Sequence, residues 1–384
     1  MTCMTSVRLS PSELYSQKLK AIRRELRDEY LQPHAKPWIV GFSGGKDSTL
    51  LAHLVVDCLL NVPPDERRRR VYVCTNDTLV ESPVFQRFVT KVLARMADGL
   101  AALDIPVTVV KTTPLTEESF WVNLLGRGYP APKRMFRWCT DRMKIRPTTR
   151  FIQEQVANSG EAVLLLGTRR GESVERGKNI ERRRGSASGA RLNPHSSLKG
   201  CYVFTPLLDL STDEVWVSLL NLRPPWGGDH RELVRLYSHA NGGECPFVVS
   251  ADDPASCGTQ SARFGCWTCT VVEKDNSIEA MIDAGFADLE PLADFRNRIK
   301  ALSESPECRS KVRRNGQPGL GPLTIHPREL LLEELLALRQ RTSLPLISEH
   351  EVRLIREHWA RDTTDSVIRD LHKDLAKWAR FRPG

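Results

Sequence analysis

The sequence predicts an α/β fold in which a parallel central sheet is flanked by helices and followed by a cysteine-containing segment and a helical C-terminal region. Three observations predict it. Short apolar runs, among them Trp38-Ile39-Val40, Val71-Tyr72-Val73-Cys74 and Val163-Leu164-Leu165-Leu166, alternate with longer stretches of one-sided apolar periodicity. That is the pattern of parallel strands joined by right-handed helical crossovers. The first run ends in Phe42-Ser43-Gly44-Gly45 and a helical stretch opens at once with Lys46-Asp47-Ser48, giving strand, tight turn and helix start in succession. Polar residues follow the runs at their carboxyl ends, where open α/β sheets bind ligands.

A chain of 384 residues can bury a substantial core, as one large domain or a main domain with an appendage. Its formal charge of +9 suits a polyanionic partner, although an ordinary basic surface carries the same charge. No run approaches a membrane span, and Met1 to Ala21 lacks the apolar centre of a signal peptide, so a cytoplasmic protein with no membrane partner is expected. The 10 cysteines are too sparse for a secreted disulfide scaffold.

In order along the chain, residues 1–36 form an N-terminal helical segment, with Leu14, Leu19, Ile22 and Leu26 on one apolar face. Residues 37–240 form the sheet domain. After the glycine turn, Leu50, Leu51, Leu54, Val55, Leu59 and Leu60 make a largely buried helix that Pro63-Pro64 stops. A second strand over Val71 to Thr75 brings Thr75, Asn76 and Asp77 to the sheet's carboxyl edge. A helix over 83–101, a third strand over 107–110, a short helix over 118–125 and a helix near 147–157 follow. The fourth strand, 163–166, ends in Gly167-Thr168-Arg169, again placing a glycine and a hydroxyl where a nucleotide would lie. Residues 169–200 form a long basic loop, suited to a polyanion or simply solvated. A short fifth strand over 202–204 precedes helices over 208–220, capped by Ser211 or Thr212, and over 230–240. Residues 241–275 are the cysteine-rich segment, and 276–384 are helical, with helices near 276–284, 290–302, 328–341, 347–360 and 364–380.

Two places carry chemistry. At the first, N–H groups of a first helical turn and of a glycine turn converge on one pocket, which should hold an anion, usually phosphate. The hydroxyls of Ser43 and Ser48 and the Lys46 ammonium add donors and charge. The turn is neither a Walker A loop nor GxGxxG. At the second, Cys257, Cys266 and Cys269 stand in CGTQSARFGCWTC, where the Cys-x-x-Cys pair can grip one metal centre. A fourth sulfur is needed to close either tetrahedral zinc, Zn2+, or a 4Fe-4S cluster. Cys139 is the preferred fourth ligand and Cys245 its competitor; a metal-free redox dithiol is the remaining reading.

The turn resembles the SGGKDS signature of the PP-loop ATP pyrophosphatases, of the adenine nucleotide alpha-hydrolase-like (HUP) fold, which cleave ATP between its α and β phosphates. VGFSGGKDSTLL, VCTNDTLVESPVF, FRWCTDRMKI, LLGTRRGES, RPPWG, ECP and CGTQSARFGCWTCTVVEKD together resemble the PAPS-reductase-like sulfurtransferases of bacterial DNA phosphorothioation, the DndC and SspD type. The resemblance covers about residues 38 to 275 and continues more weakly through the helical tail. It implies replacement of a non-bridging DNA phosphate oxygen by sulfur, with ATP, an oxygen-sensitive 4Fe-4S cluster, a cysteine desulfurase as sulfur source, other phosphorothioation proteins as partners, and host antiviral defence as the setting.

Under that resemblance Ser43, Gly44, Gly45, Lys46, Asp47 and Ser48 would hold ATP, with Thr75, Asn76, Gly167 and Thr168 beside it and Asp47 helping to position Mg2+. Asp77 or Asp141 could supply the acid instead. Arg169 would neutralise phosphate, and Arg137 and Arg142, which flank Cys139, could guide DNA or support the cluster's anionic surroundings. Trp138 and Trp267 could shield the thiol centre or stack on a base, or simply pack in the core. The alternatives are an adenylyl-sulfate or phosphoadenylyl-sulfate reductase, whose terminal ECGLH-type element is absent, a tRNA sulfurtransferase, and a DNA-binding scaffold without catalysis.

Overall fold

The computed structural model describes residues 11–170, 191–240 and 264–363. Six strands form one sheet in the order β3-β2-β1-β4-β6-β5. β1 (Trp38–Gly41) lies at its centre, parallel to β2 (Val71–Asn76) and β4 (Ala162–Leu165); β3 (Val107–Thr112) and β6 (Cys201–Phe204) extend it in parallel on either side. The expected strands are all present. An additional two-residue strand, β5 (Asn193–Pro194), pairs antiparallel with β6 at the edge, where a proline's missing N–H costs no ladder bond.

Burial explains why the central strands read as continuous apolar runs. Trp38, Ile39 and Val40, like all of β4, are buried because helices cover both faces of the sheet. On one face Ile39, Cys74, Leu164 and Cys201 pack with Ile152 of the helix Arg146–Ser159. α2 (Lys46–Leu60) is buried along most of its length, in contact with α1 (Pro11–Tyr30) and with the helix Thr212–Asn221. A buried carboxylate ties α1 to the strands. Glu29 accepts from the Trp38 indole at 2.5 Å and from Arg69 Nη1 at 3.1 Å, while Arg69 also takes the Glu29 carbonyl at 2.6 Å. Between the two possible caps of Thr212–Asn221, the structure selects Ser211, in a reciprocal capping box with Glu214.

The described residues divide into two compact units that interleave along the chain. One is built from Met1–Asn76, Val84–Thr112 and Thr148–Phe264, and contains the sheet; the other is built from Asp77–Pro83, Thr113–Pro147 and Gly265–Gly384. The second unit is centred on aromatic packing of Phe120, Trp121, Trp138, Trp267 and Phe295. Helices Asn276–Asp283, Glu290–Glu304 and Ile325–Thr342 and residues 349–363 follow the C-terminal helical expectation closely. The helix expected at 364–380 lies outside the described residues.

The short helix expected over 118–125 is instead a 3-10 turn at Thr116–Glu118 followed by a π-helical turn at Val122–Gly126. The last carbonyls of this helix, like those of any helix end, have no partner within it, and long-range donors take them. Trp359 Nε1 donates to Leu125 at 2.7 Å, and the buried Arg328 donates to Gly126 at 2.6 Å. A second departure from the expectation is a tight hairpin over residues 309–323, with bridges Arg309 to Leu323 and Val312 to Pro318. No helix among the described residues is long and apolar enough to cross a membrane.

Candidate active site

In the sheet-bearing unit, β1 is flanked by β2 on one side and β4 on the other, so the strand order reverses between β1 and β4, the place where open α/β sheets bind ligands at the strands' carboxyl ends. The turn Phe42 to Gly45 occupies that edge. Phe42 N–H donates to the Cys74 carbonyl at 2.8 Å, and Gly45 caps α2 in extended conformation with no side-chain cap bond. The first N–H groups of α2 are therefore left for a ligand. Ser43 and Ser48 brace the turn: the Ser43 N–H donates to Ser48 Oγ at 3.2 Å, the two hydroxyls lie 3.1 Å apart, and Ser48 Oγ donates to the Gly45 carbonyl at 3.0 Å.

Two glycines make this geometry possible. Gly44 has φ +75, and a Cβ there would collide with Val89 Cγ2. Gly167, after β4, passes so close to α2 that a Cβ would meet the Asp47 carbonyl oxygen at 2.8 Å and the Ser48 nitrogen at 3.1 Å. The turn after β4 is thus pressed against the helix start.

That contact brings Arg169 to Asp47. Arg169 Nε lies 2.5 Å from Asp47 Oδ1, its Nη1 donates to the Leu210 carbonyl at 3.3 Å, and the residue is buried. Lys46 Nζ takes the other carboxylate oxygen at 3.2 Å and sits 5.9 Å from the centroid of the Tyr237 ring. Asp47 is therefore the hub of a cation pair, with both oxygens engaged. Tyr237, on the helix Arg231–Ala240, was invisible as a site residue in the sequence because nothing local marks it.

The remaining candidates are placed as follows. Thr75 is buried, and its carbonyl and the Asn76 side-chain oxygen accept from Thr112 Oγ1 at 3.3 and 3.1 Å. Thr168 is half-buried. Asp77 belongs to the second compact unit, where its Oδ1 accepts the Leu79 N–H at 2.8 Å. Asp141 is exposed and pairs with Arg146 Nε at 2.8 Å.

The second unit holds Cys139, Cys266 and Cys269. Cys269 N–H closes a tight turn on the Cys266 carbonyl at 3.0 Å, and Trp267 N–H bonds the Val80 carbonyl at 3.0 Å, pinning the Cys-x-x-Cys loop to residues after β2. Thr78 Oγ1 lies 3.4 Å from Cys266 Sγ and donates to Glu81 at 2.9 Å. The buried Arg296 fastens the far side of the loop, taking the carbonyls of Cys269 at 2.8 Å and Glu273 at 3.0 Å. Burial pushes the Cys266 thiol up, with Glu81 adding to the effect; burial also raises Cys139, with Cys269 adding. Lys144 is raised chiefly by Cys266.

Protonated buried thiols become thiolates only beside a positive charge such as a metal. A closed cage is another matter. Among the described residues no group of three or more His, Cys, Asp or Glu stands in metal-binding geometry. The three described thiols alone do not fit a cluster, and both Cys257 and Cys245 lie outside the described residues, as does most of the basic loop, residues 171–190.

Comparison with known proteins gives a 26% identical relative over 191 residues, the uncharacterized protein MJ0066 of Methanocaldococcus jannaschii, covering 50% of this chain and 33% of that protein. The chain thus spans about a third of that relative's length. Solved structures with similar folds include phosphoadenylyl-sulfate (PAPS) reductase from Candida auris, at 16% identity and TM-score 0.33, covering 56% of this chain and 88% of that one. Another is the U34-tRNA thiolase NcsA from Methanococcus maripaludis with its 4Fe-4S cluster, at 16% identity and TM-score 0.34, covering 84% and 89%. Scores at this level carry no argument about function. The family model for the phosphoadenosine phosphosulfate reductase domain matches residues 37–272, from the strand before the phosphate turn to just beyond the Cys-x-x-Cys loop. The chain belongs to the phosphoadenosine phosphosulfate reductase domain family.

Proposed function

We propose that this chain is an ATP-dependent sulfurtransferase that replaces a non-bridging oxygen of a DNA backbone phosphate with sulfur, as in the DndC and SspD type of enzyme. The observation that carries the reading is the glycine turn at the start of α2, braced by Ser43 and Ser48 and backed by the Lys46–Asp47–Arg169 cluster. The sequence motifs around it supply the DNA assignment, and the cysteine loop supplies sulfur chemistry in the same chain.

In this reading the backbone N–H groups at Gly44 to Asp47 and the Lys46 ammonium hold the ATP phosphates, and Asp47 orients Lys46 and Arg169 toward the charge that develops on departing pyrophosphate. A DNA phosphate oxygen attacks the α-phosphorus, the bond to the β-phosphate oxygen breaks, and pyrophosphate leaves. Sulfane sulfur from a cysteine desulfurase forms a persulfide on one of Cys139, Cys266 and Cys269; its outer sulfur attacks the adenylylated DNA phosphorus and AMP leaves. A second thiol of the set then attacks the inner, cysteine-bound sulfur, so that the S–S bond breaks, the phosphorothioate is released and a protein disulfide forms, which an external thiol reduces. The Cys-x-x-Cys loop with Cys139 is the docking point for that sulfur. A 4Fe-4S cluster enters the proposal only with a ligand from Cys257 or Cys245.

Family membership favours a second reading, reduction of adenylyl sulfate or phosphoadenylyl sulfate. One experiment separates them: anaerobic turnover of labelled ATP with DNA, tRNA or a sulfonucleotide, in the presence of a cysteine desulfurase. Expected are DNA-dependent release of AMP and pyrophosphate and phosphorothioate-linked dinucleotides by mass spectrometry after digestion. Sulfite from the sulfonucleotide, or thionucleosides from tRNA with unmodified DNA, would overturn the proposal.

A further inference from the structure

The second compact unit carries a basic and aromatic surface that the phosphate turn and the thiols do not use. Its first part is the turn Lys133 to Phe136, closed at both ends: Lys133 N–H donates to the Phe136 carbonyl at 3.2 Å and Phe136 N–H returns to Lys133 at 2.8 Å. The turn holds its apolar side chains outward. Met135 is 94% and Phe136 47% exposed, with Arg134 and Arg137 exposed beside them. Leaving two large apolar side chains in water at the tip of a rigid turn loses the stabilisation of burying them and calls for a partner.

Its second part is the hairpin over residues 309–323. Bonds from Gly319 N–H to the Lys311 carbonyl at 2.9 Å and from Arg313 N–H to Gln317 at 2.9 Å make it rigid. Arg309 is spent internally, donating to the carbonyls of Gly321 at 2.5 Å and Ser303 at 3.0 Å, while Lys311, Arg313 and Arg314 are exposed. Among the described residues, Arg134, Arg137, Lys311, Arg313 and Arg314 make no ion pair; in this patch Lys133 reaches Glu304 at 3.8 Å.

Tyr129 joins the two parts. The Arg314 guanidinium stacks 4.7 Å from its ring centroid and that of Arg142 lies 5.3 Å from it, while Phe136 stands 6.4 Å away, centroid to centroid. The hairpin base is strapped to the same segment by Leu323 N–H to the Gly128 carbonyl at 2.8 Å. Cations on rigid backbone thus alternate with planar or apolar side chains across one continuous surface.

We infer that this surface, the hairpin 309–323 together with the Tyr129–Phe136 patch, docks a single strand of DNA, with Lys311, Arg313 and Arg134 on phosphates and Phe136 stacked on a base. Cations without an ion-pair partner answer a phosphate backbone, and the exposed Phe136 ring answers a base that a duplex keeps stacked. The surface leads directly into Cys139 along the chain, through Arg137 and Trp138. The inference rests on the DNA reading proposed above and adds to it the strand state of the substrate and the residues that seat it.

The test is fluorescence anisotropy of the full-length protein with labelled oligo-dT, a duplex of the same length and a tRNA, across a salt series, with DNA-dependent AMP release measured in parallel. The double variant Lys311→Ala, Arg313→Ala should weaken oligo-dT binding about tenfold and lower the slope of log affinity against log salt by roughly 1.4, about 0.7 for each lost contact to single-strand phosphate. Phe136→Ala should lose about tenfold while Phe136→Trp retains affinity, a rescue that a loss of folding could not produce. Unchanged affinity and slope in the double variant, beside wild-type AMP release with DNA, would sink the hairpin inference and leave the sulfurtransferase reading standing. Tighter binding of duplex than of oligo-dT would overturn the single-strand assignment. Preference for tRNA, with AMP released only in its presence, would overturn the DNA reading and this inference with it.

Discussion

At the scale of single residues, Asp47 is the charge on which the proposed phosphate turn depends. A buried arginine and a lysine share its carboxylate, and removing one partner of such a pair leaves an uncompensated cation that costs about 3–5 kcal/mol. Asp47→Asn keeps the shape and removes the charge. Pyrophosphate release should fall about 10²- to 10³-fold, with a lowered urea midpoint, because Lys46 and Arg169 lose their orientation. Raising the magnesium concentration should not restore the rate, whereas a metal-ligand role would respond to it. A second pair, away from the turn, sets acid stability. His53 Nδ1 and His230 Nε2 are 3.1 Å apart and buried, and burial holds both imidazoles down to about 4. The unfolded chain binds protons near pH 6.5 that the folded chain refuses until about pH 4, so stability is intact above that window and falls as pH drops through it. About 2 kcal/mol for each imidazole should be lost by pH 5, read as a lower urea midpoint than at pH 7. His230→Gln should flatten that dependence; an equal fall in the variant would count against the pair.

At the scale of elements, the closeness of the β4 turn to α2 is what assembles the site. A methyl on Gly167 would press on the backbone of Asp47 and Ser48, which cannot rotate away as a side chain would. Gly167→Ala should therefore weaken ATP binding about tenfold or more while costing only about 1–3 kcal/mol of stability, by nucleotide titration and thermal melting. Full affinity in that variant would show that the two elements need not touch. The same scale shows which elements were legible. β1, β2, β4 and α2 are announced by apolar runs and periodicity because their burial is nearly complete, and Ser211 with Glu214 marks a helix start by purely local bonds. The π-helical turn Val122–Gly126 was not legible, since its carbonyls are answered by Trp359 and Arg328, 234 and 202 residues away. The hairpin 309–323 was missed because its exposed polar residues carry no alternation.

At the scale of the molecule, the residues that would hold ATP phosphates and those that would carry sulfur fall in two compact units, each assembled from three separated stretches of chain. The two chemistries should therefore separate by mutation. Lys46→Ala should abolish pyrophosphate release while leaving the thiols and any bound iron unchanged, and Cys266→Ser should lose sulfur transfer and iron while ATP binding persists. Loss of iron in Lys46→Ala, or an intact cluster spectrum in Cys266→Ser, would contradict that division.

By itself the sequence determined the parallel sheet, the glycine turn between β1 and α2, and the Cys-x-x-Cys spacing that makes Cys266 and Cys269 candidates. Each depends on residues within a few positions of one another, through apolar period, glycine geometry or ligand spacing. Only the tertiary structure decided that Arg169 reaches Asp47 across 122 positions, that Tyr237 stands over Lys46, and that Thr78 and Arg296 hold the cysteine loop. Partners of that kind are chosen by how strands and turns are brought side by side, and the pairing of a buried charge or carbonyl leaves no periodic trace in the chain that supplies it.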